Sequence, residues 1–283
     1  MKIAVIGSSG QLARLFRQYG TERISFFGKE KINLLNEDAL YFLVGFDIII
    51  NCAAYTQVDR AEEFPEEAFL LNRTALIKLI RFCELRNIAI IHFSTDYVFD
   101  GGALLPYCEQ DHTNPLSIYG ISKLAGEELL LQARTRALII RTSWIYSEFG
   151  NNFCKKILDL RKADSAIRVV NDQISSPTSG RDLVLAVMRI IAIGLPPEPE
   201  IIHIANLGEC SRFDFAKMVL NLTVSDTNII AIKSSDLSKT ANRPKYSTLS
   251  TTKLLFKYGI SMPTWEKSLE HTISDIIKKS PLR

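Results

Sequence analysis

Short apolar runs and amphipathic stretches alternate along the first half of the chain. Runs over 2–6, 24–27, 46–51, 88–93 and 137–141 contain few polar positions, the pattern of strands buried on both faces of a parallel sheet. The stretches between them predict helices: one ending near Tyr19, a short one after Asn33 and Leu34, a broken piece over 58–63, a long one over 65–86, and one carrying Tyr119 and Lys123. Asn72 interrupts the long one, where an amide either packs against loop backbone or faces water. Strand and helix in this regular rhythm predict a doubly wound α/β sheet over residues 1–150.

Beyond residue 150 the rhythm changes. A helix over 152–161 is followed by a short strand over 167–170, the loop NDQISSPTSG and a helix over 181–193. A proline-rich connector at 195–199 leads to a strand over 201–205, a helix over 212–224, a strand over 229–232 and a closing helix over 265–278. Residues 151–283 are expected to form mainly a smaller substrate-binding lobe, with segments at about 165–205 returning to the first domain. A ligand is expected between the two, where pockets commonly lie.

Composition narrows the class. The chain has 283 residues, of which 47% are hydrophobic and 23% charged, with a net charge of +3. The balance is globular, and the basic tracts at 29–31 and 278–279 are too short for a nucleic-acid footprint, so no nucleic-acid partner is expected. With no apolar stretch near 18 residues and no signal peptide at the start, no membrane partner is expected and a cytoplasmic location is. Five cysteines, at 52, 83, 108, 154 and 210, form no C-x-x-C pair and read mostly as buried thiols of a reducing compartment.

Candidate chemistry begins at the first strand end, where GSSGQLA at 7–13 opens a helix. Small residues there let backbone N–H groups and the helix start approach a pyrophosphate, although a tight turn would read the same way. After the second strand no Asp or Glu stands at the usual position for the ribose hydroxyls of NAD; Glu30 lies two residues late, between lysines. Lys29 can meet a 2'-phosphate instead, which points to NADPH, unless it is only a surface lysine. The third strand ends in Asn51, Cys52, Ala53 and Ala54, small enough for a nucleotide to pass, with Tyr55 and Thr56 flanking. Ser94 and Thr95 close the fourth strand, where hydroxyls can bind a carbonyl oxygen.

If Ser117 or a neighbour caps the next helix, Tyr119 and Lys123 lie one turn apart on one face. A phenol titrates near pH 10, and Lys123 is placed to supply the charge that would lower it. A hydroxyl at a strand end with a Tyr and a Lys on one helix face is equipment for reducing a ketone by hydride transfer. Taken alone, the same residues could be a core aromatic and a solvated lysine. Trp144, at the end of the fifth strand, is either a stacking platform for a sugar or a core tryptophan.

Longer motifs decide among these readings. GSSGQLA at 7–13, NCAAYTQVDRAE at 51–62, STDYVFDG at 94–101 and YGISKLAGE at 119–127 resemble the extended short-chain dehydrogenase/reductases, and within them the dTDP-4-dehydrorhamnose reductase family. RTSWIY at 141–146, GNNF at 150–153, DQISSPT at 172–178 and RPKYSTLSTTKL at 243–254 extend the resemblance to nearly full length. It implies a Rossmann-like NAD(P)-binding domain and reduction of a 4-keto dTDP-sugar with NADPH or NADH, in a homodimer or monomer.

Matched residue by residue, it implies a catalytic set of Thr95, Tyr119 and Lys123. The cofactor would meet Gly7, Gly10, Gln11, Leu12, Lys29, Asn33, Leu34, Ala53, Ala54, Tyr55, Thr56 and Ser94, with Tyr119 and Lys123. The sugar nucleotide would meet Thr95, Asp96, Tyr119, Trp144, Asn152, Gln173 and Arg243. Some relatives are described with magnesium at a dimer contact, but no carboxylate cluster here argues for a metal. Ala13 stands where many relatives have Gly, and LLPYC at 104–108 is more apolar than the matching lid segment, which leaves the exact ketosugar open. A non-catalytic regulatory subunit, resembling the methionine adenosyltransferase beta subunit, is the alternative. A 4,6-dehydratase is disfavoured because no Glu follows Asp96.

Overall fold

The computed structural model describes residues 1–161, 166–237 and 241–279. In chain order, β1 (Ile3–Ile6) leads through α1 (Gln11–Tyr19) to β2 (Ile24–Phe27), β3 (Ile48–Asn51), β4 (Ala89–Thr95) and β5 (Ala137–Thr142). With Glu200–His203 at the edge beside β5, these form one six-stranded sheet in which every pairing is parallel; the spatial order is edge strand, β5, β4, β3, β1, β2. Because β2 and β3 leave β1 on opposite sides, the chain reverses direction across the sheet between β1 and β3. A ligand crevice belongs at the carboxyl ends of those two strands.

Alternation along the strands explains the two cores. Ile3, Val5, Ile48, Ile50, Ile91 and Ile140 face α1 and the helix Gly180–Ile193, while Ala4, Ile6, Ile49, Ile90 and Ile139 face the helices Ala75–Glu84 and Ile118–Leu131. Burying one such Ile, Leu or Phe side chain contributes roughly 1.5–3 kcal/mol, so both faces of the sheet are firmly held. The sheet is thereby a rigid platform for the loops at its carboxyl edge.

A third core joins the helices Phe153–Leu160, Arg212–Leu222 and Trp265–Lys279 around Phe215, Trp265 and Leu269. The strand Ile167–Val170 belongs to this lobe, pairing in parallel with Ile229–Ile232. The stretch that rejoins the main sheet starts later than 165, with the helix Gly180–Ile193 and the edge strand. Hydrophobic contact decides this: Leu183, Val184, Val187 and Ile190 pack in the first core, whereas Ile167 and Val169 pack in the third.

The long helix expected over 65–86 is interrupted. It runs as Pro65–Phe69, a π-helical turn Leu70–Thr74 and a further helix Ala75–Glu84. Asn72 sits in the π turn and is buried, with its amide turned inward. The helix Thr252–Tyr258, between the Arg243 loop and the closing helix, is an element the apolar pattern does not announce. Among the described residues no helix is long and apolar enough to cross a membrane.

Candidate active site

At the end of β1 the chain turns through Gly7, whose φ of +81° lies in the left-handed region. A Cβ there would stand 2.7 Å from the Ala53 backbone nitrogen, so only glycine allows the β1 and β3 ends to approach this closely. Gly10 N–H returns to the Gly7 carbonyl at 3.0 Å, and α1 begins at once with Gln11. The first-turn N–H groups of α1 have no acceptor within the helix, which makes this corner suited to phosphate. A cleft of about 370 Å³ opens beside it, lined by Gly7, Gly10, Lys29, Asn33, Leu34, Ala53 and Ala54. Its size, its close-packed glycine floor and its bare helix start fit a dinucleotide.

Other residues expected at the cofactor are not among those lining this cleft. Gln11 and Leu12 contribute backbone at the helix start; the Gln11 side chain accepts from Asn152 Nδ2 at 3.3 Å and Leu12 packs against the first core. Tyr55 turns its ring inward against Ala61 and Ala68, and Thr56 is exposed. Ser94 Oγ is buried without a hydrogen-bond partner among the described residues.

The expected catalytic residues come from β4 and the helix Ile118–Leu131. Ser117 caps that helix by accepting from Gly120 N–H at 3.2 Å, which puts Tyr119 and Lys123 on the face towards β4. Gly120 is required there, since a Cβ would lie 2.3 Å from the Tyr97 carbonyl oxygen. Thr95 Oγ1 accepts from Tyr97 N–H at 3.2 Å. The Tyr119 ring packs edge-on to Tyr97 with centroids 6.0 Å apart. Burial pushes the Tyr119 hydroxyl above the ordinary phenol range, with the neighbouring Thr95 hydroxyl opposing that shift.

Lys123 departs from the expectation that it charges the tyrosine. Its Nζ points inward, donating to the Phe93 carbonyl at 2.6 Å and lying 3.1 Å from His92 Nε2. Desolvation pushes its pKa down to about 8, with Glu127 pulling upward. In this orientation the amine is too well engaged with β4 to stabilise a phenolate.

Asn72 was a missed member of the site. Its Oδ1 accepts from Tyr55 N–H at 2.9 Å, and its Nδ2 donates to the Tyr55 carbonyl at 3.1 Å and to Ser122 Oγ at 2.9 Å. The π turn aims this amide at the loop after β3, so Asn72 ties the cofactor cleft to the helix of Tyr119. A polar residue inside an apolar helical stretch was the available signal. Gly126 permits the close approach, since a Cβ there would lie 2.5 Å from the Asn72 carbonyl oxygen.

On the lobe side, two residues expected at the substrate have their polar atoms engaged by the protein. Asp96 is buried: its Oδ2 accepts from Ser175 Oγ at 3.1 Å and Ser247 Oγ at 2.6 Å, and its Oδ1 from Thr95 at 3.2 Å. It therefore ties two lobe loops to the end of β4. Burial nevertheless pushes its pKa up to about 6, the serine hydroxyls opposing the rise. Asn152 caps the helix Phe153–Leu160 through Lys155 N–H, and its Nδ2 is shared among Gln11, Ser147 and Phe149. Every polar atom of that side chain has a protein partner.

Trp144, held at a φ of +40°, lines a cavity of about 160 Å³ with Phe153, Pro177 and Arg212. The Arg212 guanidinium lies 4.1 Å from its ring centroid and donates to Gln173 Oε1 at 3.1 Å and Tyr97 hydroxyl at 3.3 Å. Arg212 was not singled out by any local signal. Arg243 instead pairs with Asp59 at 2.8 Å, joining its loop to the helix after β3.

All five cysteines are free, with Cys108 exposed and Cys52 half-buried rather than enclosed. Among the described residues no group of three or more His, Cys, Asp or Glu is placed to hold a metal ion.

Comparison with known proteins covers nearly the whole chain. A family model described as "RmlD substrate binding domain" matches residues 1–277. A dTDP-4-dehydrorhamnose reductase of Sinorhizobium fredii is 36% identical over 286 residues, spanning 96% of this chain and 97% of its own length. The crystal structure of a dTDP-4-dehydrorhamnose reductase from Bacillus anthracis in complex with NADP superposes with a TM-score of 0.92 at 33% identity, covering 97% of this chain and 100% of that one. A Clostridium acetobutylicum orthologue superposes with a TM-score of 0.91 at 32% identity, covering 98% and 99%.

Proposed function

Because the chain belongs to the RmlD substrate-binding family, we infer that it reduces the C4 ketone of dTDP-4-dehydro-6-deoxy-L-mannose to dTDP-L-rhamnose, using a nicotinamide cofactor. The observation that carries this reading is the match to dTDP-4-dehydrorhamnose reductases over almost the full length, within which Thr95 and Tyr119 come together at one strand end. The bound cofactor would supply the hydride. Gly7, Gly10 and the first turn of α1 would hold its pyrophosphate, with Asn33 and Leu34 on the adenine side and Ala53 and Ala54 alongside.

The remaining chemistry belongs to the chain. Thr95 and Tyr119 hydroxyls hydrogen-bond the ketone oxygen, and Tyr119 gives it a proton as negative charge develops. Raised above its ordinary pKa, the Tyr119 phenol stays protonated at neutral pH, the form an acid must have. It gives the proton up readily only with a cation near it, which is the part for an outward-turned Lys123. Trp144 would border the space for the sugar, with Gln173 behind it holding Arg212. Oxidation of NADPH in the presence of the ketosugar is the test: the wild type consumes cofactor, and consumption no faster than that of a Thr95→Ala/Tyr119→Phe double variant would end this assignment.

Cofactor preference rests on Lys29, which lines the cleft and is itself exposed. NADPH is accepted at least as well as NADH. A charged contact contributes about 1.5–3 kcal/mol when well formed and much less when water screens it; because Lys29 is exposed the screened case applies, and Lys29→Ala lowers the NADPH-to-NADH ratio of kcat/KM by no more than about tenfold. A tenfold preference for NADH, unchanged by the substitution, would leave Lys29 a surface residue.

A further inference from the structure

Behind Lys123, two buried residues with no part in the proposed chemistry form a chain of hydrogen bonds. His92, on β4, is 2% exposed; Asn51, its register partner on β3, is 3% exposed. Asn51 Oδ1 accepts from Ala53 N–H at 3.0 Å. The amide is thereby oriented, and its Nδ2 is the atom 3.1 Å from His92 Nδ1. A neutral imidazole has one N–H and one accepting nitrogen. Since Asn51 donates to Nδ1, the hydrogen of His92 is on Nε2, the nitrogen that faces Lys123 Nζ at 3.1 Å.

An ammonium has no lone pair with which to accept that hydrogen. A neutral amine does, and it still has an N–H for the Phe93 carbonyl at 2.6 Å. Rotating the Asn51 amide to rescue an ammonium would set its NH2 against Ala53 N–H, and protonating His92 would set an N–H against the Asn51 NH2. The inward arrangement is satisfied in one protonation state.

We propose that His92, locked by Asn51 in the tautomer protonated on Nε2, is a positioning residue for Lys123: the neutral amine rests inward on His92, and the ammonium turns outward to Tyr119. This rests on the role given to Lys123 in the proposed reaction. When the side chain turns outward it takes its proton from solvent, and only then does it place a positive charge where a tyrosinate can form. The groups around Lys123 allow both states. Its own helix presents Tyr119 and Glu127, β5 presents Arg141 already paired with that carboxylate, β4 presents His92, and β3 and the π turn present the uncharged Asn51 and Asn72. Burial holds His92 well below its ordinary pKa, and Lys123 is brought down to about 8, so the change of state falls close to neutral pH.

Nitrogen-15 NMR of the full chain labelled at its four histidines reads the tautomer directly, the His92 signals being those missing from His92→Gln. The expected result, without added cofactor, is an Nε2–H imidazole from pH 6 to 9. An Nδ1–H tautomer or an imidazolium in that range overturns the proposal. Asn51→Leu, similar in shape, removes the lock without adding charge and lets Nε2 accept from an ammonium. With Lys123 brought down to about 8, an alkaline limb of kcat is expected in that region in the wild type; in Asn51→Leu it should move up by roughly one unit, a tenfold change in proton affinity, and kcat at pH 7 should fall while KM for the ketosugar holds. A limb that stays in place in folded Asn51→Leu also overturns it. If the ketosugar is not turned over at all, the assigned reaction fails, while the tautomer still decides the role of His92.

Discussion

Replacing Tyr119 with phenylalanine lowers kcat by roughly 10²- to 10⁴-fold, the range that a positioned general acid contributes. The ring is held by edge-on contact with Tyr97 and by the helix whose cap is Ser117, and phenylalanine preserves both. Thermal stability and cofactor dissociation, measured by fluorescence, should therefore stay near the wild-type values. Burial already keeps this phenol above its ordinary pKa, so removing the hydroxyl uncovers no buried charge. Lys123→Met gives the contrast. It takes away the cation that eases proton release, so kcat falls here too, and cofactor affinity falls with it if Lys123 reaches the nicotinamide ribose. Equal, modest losses of activity in both variants, tracking the fraction unfolded and leaving cofactor affinity untouched, would remove the acid role from Tyr119.

The parts of this site readable from sequence are those encoded locally. Apolar runs separated by a regular helical rhythm specify the sheet, the i, i+4 spacing puts Tyr119 and Lys123 on one face, and Gly7 marks the close approach of β1 and β3. The partners of Asp96 and the inward seat of Lys123 were not legible because they come from topology. Ser175 and Ser247 reach Asp96 from 79 and 151 residues away, and turn a presumed substrate contact into a tie between lobe and sheet. His92 reads as one polar interruption in a buried strand until the pairing of β3 with β4 sets Asn51 beside it. Asn152 has the motif position of a ligand contact and the backbone position of a helix cap, and the cap uses its hydrogen-bonding atoms. Arg212 begins a helix that the sequence marks with a Ser211–Asp214 capping box, a signal for a helix start and not for a site; its place over Trp144 follows from the packing of the third core.

Glu127→Leu should destabilise the fold by about 3–5 kcal/mol, the usual result of removing one partner from a buried ion pair. Arg141 donates from Nε to both carboxylate oxygens at 3.1 Å and from Nη2 to Oε2 at 2.7 Å, and the two side chains are 3% and 1% exposed. The pair links β5 to the helix of Tyr119 and Lys123, about one turn before the helix ends. With Glu127 gone, the guanidinium keeps, among the described residues, a long contact with the Glu109 carbonyl, at 3.4 Å, and the face of Phe99, 5.1 Å away. Neither balances a charge taken out of water. The loss measures the stranded cation more than the attraction itself, and that distinction can be tested. Arg141→Met beside Glu127→Leu fills similar volume with apolar atoms, so the double variant should recover most of the stability in urea unfolding. If the double variant is as unstable as the sum of the two single ones, the pair is not coupled and the helix is held by its apolar face alone.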